Sequence, residues 1–154
     1  MSTSMILPPG AGEMLQVAGD RIRILVDSTK IGGTCTIFES ASPPRVGPPL
    51  HRHLDEDEHF YVLEGSAKFV VDGQEITLTA GGSAFARRGS VHTYTNMGQG
   101  NLRMLVTCTP GGIEIPFRKA DRMMREGAIN LKAFGAMFKH HKIEVMGPPL
   151  FPPG

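Results

Sequence analysis

Short apolar runs, separated by turn-forming residues, recur along most of the chain. From about residue 14 to residue 109, runs of β-branched and aromatic residues alternate with turn signals. The runs follow one another at intervals of roughly ten residues, which favours an antiparallel sandwich or barrel over alternating strands and helices. The predicted strands are Arg21–Val26, Thr34–Glu39, His59–Glu64, Ala67–Asp72, Glu75–Thr79, Ser83–Ala86 and Leu102–Thr107.

One hairpin is predicted by its turn sequence. Asp72 and Gly73 stand between two apolar runs, and a two-residue type I′ turn needs positive φ at both of its central positions. Alternation along the strands also nominates a set of apolar side chains for the interior of the barrel. They are Phe60, Val62, Phe69, Val71, Phe85 and Met104.

Both ends of the chain differ from this strand-rich region. Residues 1–13 are rich in proline and glycine and are predicted to form an extended lead-in to a β domain at residues 14–116. Residues 117–154 begin with roughly helical apolar spacing, interrupted at Gly127, which predicts one or two short helices and then an extended tail. We expect these helices to pack against a partner subunit, and a lid over the barrel mouth is the alternative.

The overall composition changes this picture mainly by exclusion. The 154 residues are 40% hydrophobic and 20% charged, which suits one soluble domain with a real core. A formal net charge of +1 without a basic stripe argues against nucleic acid, and no apolar run approaches the roughly 20 residues that span a bilayer. The N-terminus lacks a secretory signal, so we expect a cytoplasmic location, in which Cys35 and Cys108 stay free and buried.

The candidate chemistry lies in the stretch GPPLHRHLDEDEHFYVLEG, residues 47–65. His51 and His53 are two residues apart, so in an extended segment both imidazoles point to the same face. Of the four acids that follow, only Glu58 leads directly into the next strand, where alternation turns it inward with the apolar residues. His92, which opens another strand-like run, would supply a third imidazole. Such a set would leave open positions on a six-coordinate metal ion.

On spacing alone, a second interpretation of these residues stays open. His51 and His53 would then be surface loop residues, balanced by the acids beside them. If Glu58 instead points inward, the other three acids, Asp55, Glu56 and Asp57, are predicted to be solvated loop residues. Spacing by itself does not decide between a metal site and a charged loop that leads into a strand.

The other histidines are not expected to be ligands. His59 follows Glu58 directly, so its side chain points to the opposite face of the strand. His140 and His141 lie in a basic segment that is predicted to be solvated. Tyr94, two residues after His92, shares the face of that histidine. It is the best candidate for a polar group beside the metal.

Two motifs in this region resemble those of the cupin superfamily. The first reads Gly47-x3-His51-x-His53-x4-Glu58-x6-Gly65, with a shorter spacer after the leading glycine than is usual. The second reads Gly81-x5-Arg87-x-Gly89-x2-His92-x3-Asn96, with arginine where proline is usual. Fifteen residues separate the motifs, as in small microbial cupins. Stretches such as LPPG, GGTCTIFES and LVTCTPGG extend the similarity over residues 6–118, to small single-domain cupins described as quercetin dioxygenase-like.

The resemblance implies an all-β fold, the double-stranded β-helix or jelly-roll barrel, with short C-terminal helices after it. It implies one divalent transition metal ion per chain inside the barrel, either Fe, Mn, Ni, Cu or Zn, held by His51, His53, Glu58 and His92. It also implies a homodimer that takes a small-molecule substrate or ligand.

The activity that the resemblance implies is a metal-dependent, dioxygenase-like reaction on a small aromatic or enolisable compound. In that reaction Glu58 is a ligand or a general base, and Tyr94 is the second candidate for a catalytic role. Two alternatives stay open, namely a non-redox isomerase or lyase and a non-enzymatic cupin that binds a small ligand.

Overall fold

The computed structural model describes residues 3–127 and 130–151 of the chain. These residues form eleven β-strands and two α-helices. In chain order the elements are β1 (Glu13–Val17), β2 (Asp20–Val26), β3 (Thr36–Ser42), β4 (Leu50–His53), β5 (Asp57–Glu64), β6 (Ser66–Val71), β7 (Gln74–Thr79), β8 (Ser83–Ala86), β9 (His92–Asn96), β10 (Leu102–Thr109), α1 (Glu114–Arg125), α2 (Leu131–His140) and β11 (Ile143–Gly147).

The strands form two antiparallel sheets. A six-stranded sheet has the order β1-β2-β3-β10-β5-β8, and a five-stranded sheet has the order β11-β4-β9-β6-β7. Their inward side chains share one apolar core, to which the first sheet contributes Phe38 and Phe60 and the second contributes Phe69. This arrangement confirms the predicted all-β double-stranded β-helix with short C-terminal helices.

The seven strands predicted from the hydrophobic pattern are present, with small shifts at their ends. The predicted hairpin joins β6 to β7, where Val71 pairs with Gln74 across the turn. Both turn residues have positive φ, +49° at Asp72 and +81° at Gly73, as a type I′ turn requires. Strong alternation and explicit turn chemistry therefore predict this part of the fold correctly.

The predicted barrel interior is right at four of its six positions. Phe60, Val62, Phe69 and Met104 are buried, whereas Val71 is only half-buried.

The interior assignment is wrong for Phe85, whose side chain is 59% exposed. In β8 the inward positions are Ala84 and Ala86, and Phe85 pairs with His59 on the outer face of the sheet. A strand of four residues offers too little alternation to show which of its faces is buried.

Two strands that the hydrophobic pattern does not predict, β4 and β11, lie at the metal-ligand candidates: β4 carries two of them, and β11 pairs with β4. The first, β4, is half-buried and lies among prolines and charged residues. The second, β11, belongs to the tail that was predicted only to be extended, and it pairs with β4 so that Val145 is opposite His51. On its other side β4 pairs with β9, with His51 opposite His92. These strands exist because of partners far away in the sequence, which a local pattern does not record.

The two helices pack against the barrel of the same chain. On α1, Asp121 accepts a hydrogen bond of 2.8 Å from the backbone N–H of Gln16 in β1. Phe138 of α2 is buried, and Phe117 and Phe134 join it in lining the barrel interior. Within one chain the helices thus contribute to the cavity wall, and the lid over the barrel mouth, the alternative of the sequence analysis, stays a prediction. Packing on a partner subunit, the homodimer and the cytoplasmic location stay predictions.

The remaining predictions on chain organisation have mixed outcomes. Cys35 and Cys108 are free, as predicted, although Cys35 is partly exposed. No helix in the described ranges is long and apolar enough to cross a membrane. The division of the chain at residues 13 and 116 stays a prediction, and β11 returns the chain to the five-stranded sheet after the helices.

Replacing Gly47 by alanine is expected to lower the free energy of unfolding by about 3 kcal/mol. A Cβ atom at Gly47 would lie 1.9 Å from the backbone oxygen of Tyr94 in β9, so one backbone would have to move away from the other. Gly100→Ala is the matched control, because a Cβ there meets nothing within 4 Å. Urea denaturation of both variants checks this, and equal stabilities would contradict it.

Candidate metal centre

Four potential metal ligands converge between the two sheets. In the five-stranded sheet, β4 contributes His51 and His53, and the neighbouring β9 contributes His92. Glu58 comes from β5 of the six-stranded sheet. The structure thus brings together the four residues that the two sequence motifs nominate. The cluster is assembled only when one sheet closes over the other.

The distances within the cluster suit a single ion. One ring nitrogen of each histidine and one carboxylate oxygen of Glu58 all lie within 4.8 Å of one another. Glu58 Oε2 is 2.9 Å from His92 Nε2 and 3.2 Å from His53 Nε2. Ligands placed about 2.1 Å from one octahedral ion are about 3 Å apart when adjacent and about 4.2 Å apart when opposite. The donor set could therefore hold one metal ion with only small side-chain shifts.

The other nitrogen of each imidazole ring already has a hydrogen-bond partner. Nδ1 of His51 and Nδ1 of His92 face the backbone oxygen two residues earlier in the chain, at 2.7 and 3.0 Å. Nδ1 of His53 lies 3.0 Å from Oε1 of Glu56. An Nδ1–H that donates to an oxygen leaves the lone pair on Nε2, which is the tautomer that a ligating imidazole needs. The surroundings of the rings therefore fit a metal centre.

Burial and mutual charge set the protonation of the cluster. Burial lowers the pKa of His51 to about 3, and the two other histidines act in the same direction, so His51 is neutral at neutral pH. Burial opposes charge on Glu58, but His53 and His92 outweigh it and hold the pKa of Glu58 well below its usual range. Burial likewise opposes charge on His53, but Glu58 outweighs it and raises the pKa of His53. An ion that binds here displaces the proton of His53.

The acids that precede Glu58 are not all solvated, contrary to the prediction. Glu56 is largely buried against the ring of His53. Asp57 accepts hydrogen bonds from the backbone N–H of Arg88 at 2.8 Å and from its guanidinium group at 3.0 Å. Sequence reasoning missed the role of Glu56 in orienting His53, although an acid three residues after a candidate ligand was a usable signal.

Arginine in place of the usual proline leaves the turn of the second motif closed. The backbone N–H of Ser90 donates to the backbone oxygen of Arg87 at 2.9 Å. Gly89, whose φ is +85°, donates its N–H to the backbone oxygen of His53 at 2.7 Å. The turn before His92 is therefore tied directly to β4, which carries two of the other candidate ligands.

The cluster opens on a cavity of about 110 Å³ inside the barrel. Most of its wall is apolar or aromatic, with Phe38 and Phe60 from the sheets and Phe134 from α2. Among the residues that the structure describes, no Lys or Arg lines it. A wall of this kind suits an apolar or aromatic ligand that carries a few polar groups.

Tyr94, the predicted polar group beside the metal, lines this cavity. Its hydroxyl donates a hydrogen bond of 2.7 Å to Oδ2 of Asp20, which also lines the cavity. Sequence reasoning missed Asp20, because an acid at the start of an apolar strand usually lies in a solvated turn. Here the side chain is only 7% exposed. A catalytic role for Tyr94 stays a prediction.

The other histidines lie away from the cluster. His59 is on the outer face of β5, where its Nε2 is 2.6 Å from the Ser83 hydroxyl. His140 is exposed, and the Nε2 atom of His141 lies 2.9 Å from the amine of Lys119. None of the three belongs to the cluster of candidate ligands found among the described residues.

Asp20 is expected to lower the stability of the protein as the pH rises. Burial raises the pKa of Asp20 from 3.8 to about 6, partly offset by the nearby hydroxyls of Ser42 and Tyr94. The free energy of unfolding is therefore highest, as far as Asp20 is concerned, below about pH 4, and it falls as the pH rises through about 6. At pH 7, Asp20→Asn should therefore have a free energy of unfolding about 3 kcal/mol above that of the wild type.

Urea denaturation at several pH values checks this prediction. The two proteins should converge below about pH 4, and the advantage of the variant should be complete above about pH 7. Asp55→Asn is the matched control, because Asp55 is exposed. The same pH dependence in Asp20→Asn and in the wild type would show that the expectation is wrong.

Comparison with known proteins places all four candidate ligands in a recognised region. Residues 39–108 match the family described as the cupin domain. Over 114 residues the chain is 31% identical to quercetin 2,3-dioxygenase from Bacillus subtilis (strain 168), an alignment that covers 73% of this chain and 33% of that protein. Over 63 residues it is 33% identical to an oxalate-binding protein from Thermotoga maritima, covering 41% of this chain and 52% of that protein.

These alignments span about a third and about half of the lengths of the two relatives. Among solved structures, KdgF from Halomonas sp. matches with a TM-score of 0.64 and 15% sequence identity, over 73% of this chain and 99% of that chain. A similarity at this level of identity shows a common fold.

Proposed function

The chain belongs to the cupin superfamily, and from this premise we propose that it is a metal-dependent, dioxygenase-like enzyme acting on a small aromatic or enolisable compound. One observation carries the proposal: a cluster of three histidines and one glutamate opens on an apolar cavity whose described lining has no Lys or Arg. A chelating aromatic compound suits this combination, since its oxygens can reach an ion while its ring packs on the wall.

Each member of the cluster has a role in this proposal. His51, His53, His92 and Glu58 hold one divalent ion, for which Fe, Mn, Ni, Cu and Zn all accept imidazole and carboxylate ligands. When bound, the ion supplies Lewis acidity and, unless it is zinc, redox chemistry towards O2. Glu58 is the carboxylate of the cluster and accepts the proton that a substrate hydroxyl loses on binding. Glu56 keeps the ring of His53 in place.

Residues around the cavity bind the substrate and exclude water. Tyr94 presents its hydroxyl group at the cavity wall, already oriented by Asp20, and is proposed as a polar contact for the substrate. Phe134 and Phe138 of α2 cover the apolar part of the cavity. A dry wall of this kind strengthens every electrostatic interaction within the site.

The described lining disfavours a small dianion such as the ligand named for the oxalate-binding relative. Recognition of a carboxylate by a protein typically uses Arg or Lys, which offer charge-assisted hydrogen bonds. No such side chain faces the cavity from the described residues, and Glu58 and Asp20 bring negative charge to it. Oxalate therefore serves as the negative control in the test of function.

The test is oxygen consumption by protein reconstituted with one metal at a time. Metal-free protein is loaded separately with Fe(II), Mn(II), Ni(II), Cu(II) or Zn(II), and each form is offered catechols, hydroxypyranones and 1,3-diketones in an oxygen electrode. We expect uptake of O2 with at least one redox-active ion and one class of compound, and none with zinc. Glu58→Gln should lose this activity, whereas the matched control His59→Gln on the outer face should keep it.

The alternative functions are separate outcomes of the same experiment. Conversion of a compound by the zinc form without O2 would instead assign an isomerase or lyase. Tight binding without conversion by any metal form would assign a ligand-binding protein. Turnover of oxalate in preference to every aromatic or enolisable compound would contradict the proposed chemistry of the cavity.

A further inference from the structure

Asp20 presents an unpaired oxygen within the barrel. Three side-chain oxygens of the described residues are buried without a hydrogen-bond partner, namely Asp20 Oδ1, Ser40 Oγ and Ser42 Oγ. They lie side by side, because Arg21 pairs with Ala41 and Ile22 with Ser40, a register that places Asp20 opposite Ser42. Buried polar groups are normally paired, so a group of unpaired oxygens requires an explanation.

Of these three residues, only Asp20 lines the cavity. Its Oδ2 accepts the hydrogen bond from the Tyr94 hydroxyl, so that oxygen already has a partner. The other oxygen, Oδ1, is left as a buried acceptor beside the cavity that three of the four candidate metal ligands, His51, His53 and Glu58, also line. The hydroxyl of Ser42, opposite Asp20, lies near enough to lower the pKa of Asp20 but makes no hydrogen bond to Oδ1. Asp20 therefore offers a ligand one acceptor and no donor.

The ionised form of Asp20 destabilises the fold. Burial disfavours the charged form of Asp20, so the folded state is less stable with the carboxylate ionised than with a neutral group. A buried group that lowers stability while facing a ligand cavity is more typical of function than of architecture.

We propose that Asp20 determines substrate specificity by accepting, at Oδ1, a hydrogen bond from a hydroxyl group that the substrate carries apart from its metal-chelating oxygens. This inference rests on the proposed function, since it takes the cavity as the substrate site. It specifies the substrate class as a chelating aromatic or enolic compound with a second hydroxyl group. An ether, a ketone or a carboxylate at the second position would leave Oδ1 unpaired and is disfavoured.

The test compares probes that differ by one hydroxyl group, using the zinc-loaded protein so that no redox reaction interferes. Kojic acid and allomaltol are hydroxypyranones that differ in one substituent, across the ring from the chelating oxygens. This substituent is hydroxymethyl in kojic acid and methyl in allomaltol. The compounds 4-(4-hydroxyphenyl)catechol and 4-phenylcatechol form a longer pair. In calorimetric titrations of the wild type, the hydroxylated member of at least one pair should bind about tenfold more tightly than its partner.

Variants assign the preference to one residue. Asp20→Leu should bind both members of that pair equally and should keep the affinity for the member without the hydroxyl group. Tyr94→Phe retains Asp20 and should retain a preference for the hydroxylated member. A third variant, Asp20→Asn, should raise the unfolding temperature of the metal-free protein at pH 7.

Failure of the role of Asp20 and failure of the proposed function would give different results. If Asp20→Leu keeps the wild-type preference, or if neither pair shows a preference in the wild type, the role of Asp20 is overturned while the proposed function stands. A lower unfolding temperature for Asp20→Asn at pH 7 would make Asp20 a structural residue and overturn the inference. If no probe binds the zinc-loaded wild type, the proposed function fails, and this inference fails with it.

Discussion

Replacing His51 by alanine is expected to lower metal affinity by at least about 100-fold, since even residues that only orient metal ligands contribute 10–100-fold. Burial keeps the imidazole of His51 neutral, and its Nδ1 atom faces a backbone oxygen, so Nε2 offers a lone pair to the cluster. Without it, His53, His92 and Glu58 remain, and one of the four donors is missing. Elemental analysis after dialysis should find about one equivalent of metal in the wild type and little in the variant.

The control for this experiment is His59→Ala. His59 is adjacent to Glu58 in the chain but lies on the outer face of β5, where it contacts the Ser83 hydroxyl. This variant should keep the full metal content. Circular dichroism of the metal-free proteins verifies that both variants are folded. Equal metal content in wild type and His51→Ala would show that the cluster is not the metal centre.

The second large effect is expected at Glu114, where alanine should lower the free energy of unfolding by about 4 kcal/mol. The side chain of Glu114 is fully buried at the start of α1. Its carboxylate accepts hydrogen bonds from the backbone N–H of Ser28 at 2.8 Å and of Gly112 at 3.2 Å. It also accepts from the hydroxyls of Ser28 and Thr36. Removing it takes the Glu114 acceptor away from Ser28 and Thr36 and frees α1 from β3, while the Gly112 N–H keeps Thr36 Oγ1 as an acceptor at 3.0 Å.

This loss corresponds to a fall of roughly 10 °C in the unfolding temperature for a chain of this length. Differential scanning calorimetry measures it, with Glu126→Ala as the matched control, because Glu126 is exposed at the end of the same helix. The control should change stability by less than about 0.5 kcal/mol. A Glu114→Ala protein as stable as the control would refute the role of Glu114 as an anchor.

The two predictions are independent, because Glu114 is not a member of the metal-ligand cluster. Glu114→Ala should keep its metal content under conditions in which it is folded. Conversely, metal-free His51→Ala should be nearly as stable as the metal-free wild type. Among the described residues, the hydrogen bond that the His51 ring donates is a local one, to Pro49, two residues earlier in the chain.

Local pattern was sufficient for the elements that are defined by near neighbours in the chain. The hairpin at Asp72 and Gly73 was predictable, because two adjacent residues with positive φ determine the turn. The inward direction of Glu58 was predictable too, because β5 is long enough for its alternation to be clear. Phe85 was not, because β8 has only four residues.

The candidate ligands were predictable for a different reason. The spacing of His51 and His53, and the positions of Glu58 and His92 within two motifs, resemble a family pattern, and a pattern of this kind records geometry that composition and periodicity do not. What lies around the ligands was not predictable in the same way. Glu56 was interpreted as a solvated acid, and the structure places it against His53.

Hydrophobic pattern, turn chemistry and motif spacing correctly predict the strand-rich class of this protein, most of its strands, and the four residues that come together as candidate metal ligands. Three features appear only in the folded chain: β11 pairs with β4, α2 contributes to the cavity wall, and Asp20 meets Tyr94 inside the barrel. The difference lies in the range of the interactions. Alternation and turn chemistry act between neighbours in the chain, whereas each of these contacts joins distant segments and forms only when the two sheets close over a common core.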